Sequence, residues 1–213
     1  MKQLIIFLLL NVGVFSMAFS QDNYVDQRNK FHFGVKAGTN FANVYDSQGE
    51  SFRADGKFGL AAGAFFTVPL GSLIGFQPEI LFSQKGFKAT GSLLNTQYEL
   101  TRTTSYVDIP LFLTVKPLQI LTIMAGPNFS YLLRQKDVFA NASNSVEVIR
   151  EFDNENIRKN IVGLILGVDV NVSRVIFGVR AAWDLSTNHG DGTSTTPRYK
   201  NAWAQATIGY RFI

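Results

Sequence analysis

Eight charged side chains recur at spacings that place them on one face of alternating segments: Lys36, Glu79, Lys85, Asp108, Asp169, Arg180, Asp184 and Arg211. Four are cations and four are acids. Brought into one narrow interior, such a set supports two kinds of chemistry. It can pair off into a structural charge network that plugs the interior, because an unpaired buried charge is costly. The same groups could instead line a path for protons or ions. Glu79 and Asp108 fall on neighbouring segments at similar height, where they repel each other unless a cation intervenes. Lys36, Arg180 and Arg211 fall at similar depth and are the candidates to supply it.

Other reactive groupings are sparse. Hydrolysis by a nucleophile needs a base within reach, most often His, and the chain has two histidines. His32 opens the first alternating segment. His189 lies in a polar connection and precedes Gly190-Asp191-Gly192, which reads as a turn; no Ser stands beside it at strand spacing. Asp184, His189 and Asp191 could hold a cation only adventitiously. The absence of Cys removes any mixed His/Cys metal cluster. On this reading there is no catalytic, cofactor or metal site, and no cofactor is expected.

The segments that carry these residues have period two, the signature of half-buried strands. Val162, Leu164, Leu166, Val168 and Val170 share one face, and Gly163, Ile165, Gly167 and Asp169 the other. Ala202 to Phe212 and Phe31 to Asn40 alternate in the same way. Strands are expected near 31–40, 58–68, 74–88, 98–115, 120–133, 157–170, 175–186 and 201–212. Each is close to or above the ~9–11 residues that cross a bilayer at a tilt. The connections alternate in length. Residues 69–73, 116–119 and 171–174 are tight, whereas 42–57, 89–97, 134–156 and 187–200 are longer and polar. Val146, Val148 and Phe152 alternate within 134–156, so that connection could extend its hairpin above the membrane and offer an edge to a partner strand. The apolar face carries Val, Leu and Phe, and the other face carries Gly and charge. An interior of that kind is a poor soluble core, so the apolar face must meet lipid.

The aromatic residues form two expected belts. Phe31, Phe33, Phe66, Phe76, Phe112, Phe177, Tyr210 and Phe212 fall near the short turns. Phe41, Phe58, Phe82, Phe87, Phe129, Tyr131 and Trp183 fall near the long connections.

Residues 1–20 read as a secretory signal peptide: Lys2, an apolar run from Leu4 to Phe15, and Ala18-Phe19-Ser20 before a cut near Ser20/Gln21. The run is too short for a spanning helix, which needs roughly 20 apolar residues. Cleavage leaves 213 − 20 = 193 residues with 19 basic and 16 acidic side chains, a net charge of +3. So mild a balance points to no nucleic acid. Charged residues make up 17% against a usual quarter, Phe is frequent at 19, and mean hydropathy is only +0.07, which excludes a helical membrane bundle. The expected organisation is a signal peptide at 1–20, a short periplasmic segment at 21–30 and a barrel at 31–213. The fold class is all-β: an eight-stranded antiparallel transmembrane β-barrel in an up-and-down meander, in the outer membrane of a Gram-negative bacterium.

Several motifs resemble a known family. They are Gly34-Val35-Lys36-Ala37-Gly38-Thr39-Asn40, Gln77-Pro78-Glu79-Ile80, Tyr106-Val107-Asp108-Ile109-Pro110-Leu111 and Ala125-Gly126-Pro127. In that order, on those strands, they resemble the PorT-type outer-membrane β-barrel family over roughly 31–213. The resemblance implies a small eight-stranded barrel, and its name-giving branch is tied to protein secretion across the outer membrane. Phe212 is penultimate and Ile213 last, a departure from the terminal aromatic that barrel insertion usually reads. The leading functional reading is a structural or partner-binding envelope barrel, monomeric and surrounded by outer-membrane lipid. Its partners would be envelope or secretion-machinery proteins met through 42–57, 134–156 and 187–200. The alternatives are a narrow pore for ions or small solutes and an outer-leaflet lipid-modifying enzyme. Arg53, Lys57, Arg198 and Lys200 would be the basic residues available to lipopolysaccharide.

Overall fold

A computed structural model describes residues 28–45, 53–93, 96–141, 145–151, 158–188 and 199–212. The expected signal peptide and its cleavage site, most of 21–30, and His189, Asp191 and Arg198 lie outside the described residues.

The described residues form nine strands: β1 (His32–Tyr45), β2 (Arg53–Pro69), β3 (Ile74–Leu93), β4 (Thr96–Leu118), β5 (Leu121–Asn141), β6 (Ser145–Glu151), β7 (Asn160–Val172), β8 (Val175–Asp184) and β9 (Lys200–Arg211). All pairings are antiparallel, and β1 pairs with β9 to close the sheet. Eight strands form the ring. β6 stands outside it and, among the described residues, pairs only with the upper part of β5, from Arg134↔Glu151 to Ala140↔Ser145. The lower part of β5 pairs with β7. One long strand thus serves the barrel below and a hairpin above.

The register sets the barrel's shape. Leu121 pairs with Val170, Val170 with Phe177, Phe177 with Ile208, and Ile208 with Ala37. Ala37 pairs with Ala62, Ala62 with Phe82, Phe82 with Val107, and Val107 with Tyr131. The circuit returns to β5 ten residues from its start (131 − 121 = 10). With ~3.3 Å rise and ~4.8 Å strand spacing, that stagger over eight strands gives a tilt of about 40° and a backbone radius of about 8 Å. So narrow a tube is filled by its own side chains.

Alternation decides what fills it. In β7, Val162, Leu164, Leu166, Val168 and Val170 point outward and are exposed, while Ile161, Ile165 and Asp169 are buried. The outward face is apolar all round: Val35, Ile80, Leu113, Val179 and Ile208 are exposed in the same way. Aromatic rings edge this band. At the short-turn end Phe33 lies 4.8 Å from Phe66 and 5.6 Å from Phe212; at the other, Phe41 lies 5.0 Å from Phe58. Phe33 and Phe41 are eight residues apart on β1, about 20 Å of height at a tilt near 40°, close to the ~25 Å apolar band of outer-membrane barrels.

Three expectations change. Phe87 and Phe112 are not girdle residues; both are buried inside. Phe87 has the strand parity of Lys85, and Phe112 that of Asp108, so an alternation that turns those charges inward turns the rings inward too. The connection 89–97 is mostly strand, since β3 and β4 pair up to Leu93↔Thr96. Much of 134–156 is the β5–β6 hairpin, the extension that the alternation of Val146 and Val148 led one to expect. β3, β4 and β5, at 20, 23 and 21 residues, are about twice as long as β8 and β9, at 10 and 12. One side of the barrel therefore rises well beyond the other.

A charged lumen as the candidate functional site

All eight charges expected on the inner face project into the lumen, Arg211 at its rim and half-buried, the other seven buried. They divide into separate groups rather than forming one ring. In the half nearer the short turns, Lys36 Nζ donates to Glu79 Oε1 at 2.6 Å and Arg180 Nη2 donates to the same oxygen at 3.2 Å. Arg180 Nη2 also reaches Asp169 Oδ1 at 3.3 Å. Gln77 Nε2 donates to Glu79 Oε1 at 2.8 Å, and Thr67 Oγ1 to Gln77 Oε1 at 2.8 Å. Two cations and two carboxylates thus balance in a row supplied by β1, β3, β7 and β8. Glycine makes room for them. A Cβ on Gly178 would sit 2.5 Å from Asp169 Oδ1, and one on Gly167 would sit 2.9 Å from Arg180 Cγ. The guanidinium occupies the notch these two residues leave.

In the outer half, Lys85 Nζ lies 3.1 Å from Asp108 Oδ1 and from Ser130 Oγ, and Ser130 Oγ donates to Asp108 Oδ1 at 2.5 Å. The Lys85 ammonium stands 3.6 Å from the centroid of Trp203 and 4.7 Å from that of Tyr106, a cation–π arrangement that replaces lost hydration. Glu79 and Asp108 therefore share no cation: Lys36 and Arg180 serve the first, Lys85 the second. Arg211 sits at the short-turn rim, with Nη2 donating to Asn171 Oδ1 at 3.1 Å and Nη1 3.4 Å from His32 Nε2. Asp184 accepts from Asn201 Nδ2 at 2.6 Å.

A third group was not anticipated. Arg102 Nε and Nη2 donate to Asp137 Oδ1 and Oδ2 at 2.7 and 2.9 Å, and the guanidinium lies 5.8 Å from the Phe87 and Tyr199 ring centroids. This bidentate pair caps the lumen beyond the outer girdle. Arg102 was legible, because it continues the even parity of Asp108, Tyr106 and Thr104. Asp137 was not. The β4–β5 ladder slips between Ser105↔Arg134 and Tyr106↔Leu132, so Leu133 is bulged out and the inward parity of β5 changes from even to odd.

The remaining candidates place as follows. His32 is buried at the short-turn end. Lys57 Nζ bonds weakly to the Phe58 carbonyl at 3.4 Å, and Lys200 Nζ lies 6.0 Å from the Tyr45 ring; Arg53 begins β2. Among the described residues no three His, Cys, Asp or Glu side chains gather as a metal site.

Residues 19–189 match the family described as outer membrane protein beta-barrel domain. No curated protein matches the sequence. Among solved structures, the chain is similar to the attachment invasion locus protein Ail of Yersinia pestis, at 11% identity and a TM-score of 0.49, covering 86% of this chain and 99% of that one. It is similar to Neisserial surface protein A at 11% identity and 0.47, covering 84% and 97%. It is also similar to OprG of Pseudomonas aeruginosa at 13% identity and 0.38, covering 85% and 94%.

Proposed function

The chain belongs to the outer membrane protein beta-barrel domain family and resides in the Gram-negative outer membrane, and from that premise we propose that it is a plugged, non-conducting barrel that serves other envelope proteins as a membrane-anchored binding platform. The observation that carries this reading is the filled lumen. Lys36, Glu79, Asp169 and Arg180 bridge it from β1, β3, β7 and β8, with Lys36 over the Phe65 ring and Arg180 against Phe112 and Met124. A tube of about 8 Å backbone radius leaves little else for water to pass through. The raised wall of β3, β4, β5 and β6 is the surface offered to partners, together with 42–57 and 187–200. Processing of residues 1–20 on export and a periplasmic 21–30 belong to the same reading. So does the link to secretion that the PorT-type resemblance implies. No catalytic step is assigned: His32 is buried beside Arg211, away from the outer rim.

A narrow pore is the second reading. Glu79 Oε2 and Arg180 Nε are buried without a partner among the described residues, and such atoms attract water. Planar-bilayer recording decides between them. Silence of the purified, heat-modifiable barrel supports the plug. A steady conductance that changes in Glu79→Gln would replace it with the pore. The binding role is tested by comparing culture supernatant and envelope proteomes with and without the gene. Loss of a defined set of exported proteins, with precursors held in the periplasm, would make it a secretion component; an unchanged supernatant would remove that part of the proposal.

A further inference from the structure

Two groups of lumen charges balance internally. Near the short turns two cations meet two carboxylates, and in the cap Arg102 meets Asp137. Between them, among the described residues, one ammonium, Lys85, faces two carboxylates, Asp108 and Asp184, and it is bonded to Asp108. Asp184 is 1% exposed. Its Oδ2 takes the bond from Asn201, while its Oδ1 is buried without a partner among the described residues. A buried carboxylate left in that state is strongly unfavourable.

A second unpartnered oxygen stands in the same row. Asn128 pairs with Gly163, and Gly163 with Asp184, so the three lie side by side across β5, β7 and β8 and all face inward. Gly163 contributes no side chain between Asn128 and Asp184, and a Cβ there would lie 2.7 Å from the Trp183 carbonyl oxygen. Asn128 commits its amide nitrogen to Ser130 Oγ at 2.9 Å, and its Oδ1, like Asp184 Oδ1, is buried and without a partner among the described residues. Trp203 Nε1, one inward position from Asn201 on β9, is also buried and without a partner among the described residues.

We propose that Asp184 Oδ1 and Asn128 Oδ1 form a buried site for one alkali-metal cation, with Na⁺ as the probe and water completing its shell. The donors are hard oxygens, which select a hard cation. The deficit is a single charge, which selects a monovalent one, since a divalent ion beside Lys85 would reverse the imbalance.

The test is thermal unfolding of the folded barrel in a zwitterionic detergent, in NaCl and in choline chloride at equal ionic strength and pH 8, for wild type, Asp184→Asn and Asn128→Leu. The expected result is a midpoint in NaCl about 2–4 °C above that in choline for wild type, with the difference lost in both variants. Equal wild-type midpoints in the two salts would overturn the proposal. So would a sodium effect retained in Asp184→Asn, which would put the ion elsewhere, or a higher, salt-independent midpoint in that variant, which would mean the carboxyl is protonated. Should Asp184→Asn not fold, Asn128→Leu carries the same comparison.

Discussion

Arg180→Met removes the cation that two carboxylates share. The Arg180 side chain is fully buried, 3.2 Å from Glu79 and 3.3 Å from Asp169. At an effective dielectric near 20, each contact is worth about 5 kcal/mol of gross attraction. Several kcal/mol per ion of desolvation offset much of that. The substitution does not return the desolvation, because Glu79 and Asp169 stay buried. Glu79 keeps Lys36, but no other cation within salt-bridge distance serves Asp169 among the described residues. The net loss should therefore match a buried pair broken from one side, about 3–5 kcal/mol, or a factor of roughly 10² to 10⁴ in the folding equilibrium. Methionine fills most of the vacated volume, so cavity formation adds little. The double variant Arg180→Met/Asp169→Asn restores neutrality with Lys36–Glu79 intact and should recover more than half of the loss. The assay is urea unfolding and refolding in lipid vesicles, followed by the fluorescence of Trp183 and Trp203 and by heat-modified gel mobility. A loss below about 1 kcal/mol in the single variant would refute the reasoning. So would a double variant as unstable as the sum of its parts.

Gly178→Val should cost about 1–3 kcal/mol in the same assay, because its Cβ would lie 2.5 Å from Asp169 Oδ1 and 2.7 Å from Thr207 Oγ1. Gly71→Ala, where φ is +154° but no atom lies within 4 Å, should cost only about 1 kcal/mol. Val179→Arg, 64% exposed on the outward face, should destabilise the vesicle-inserted barrel by about 2–4 kcal/mol, as expected near the bilayer midplane; an effect under about 0.5 kcal/mol would mean that water covers that face. Arg102→Lys keeps the charge but loses the bidentate fork. It should speed proteolysis of the β4–β5 and β5–β6 hairpins while the ring remains heat-modifiable, read by gel mobility of the cleaved product.

Period-two alternation was enough to sort side chains between lumen and lipid along most of the ring, and it placed Lys36, Glu79, Lys85, Asp108, Asp169, Arg180, Asp184 and Arg211 inside, because each pleat reverses the side-chain direction. Carried one position further it also places Phe87, Phe112 and Arg102. It fails only where the ladder slips, as at Leu133, since an extra residue reverses parity without leaving a mark in composition. β6 shows a similar limit: its alternation was visible, but whether it entered the ring depended on β5 turning from β7 below to β6 above.

Partnership among the charges was legible only in part: Lys36 and Arg180 were candidate cations and both meet Glu79, but which cation serves Asp108 was not. Glu79 and Asp108 looked like rivals for one cation, yet Lys36 and Arg180 meet the first and Lys85 the second. The height of each strand relative to the others follows from β1 closing on β9 with a stagger of ten residues, and that stagger is a property of the whole hydrogen-bonded circuit. Sequence thus determined which faces are apolar, which carry charge, and that lipid must cover the former. Tertiary structure decided which charges meet and which carboxylate oxygens, Glu79 Oε2 and Asp184 Oδ1, are left without a partner among the described residues, because those distances are set by the register of strands far apart in the chain.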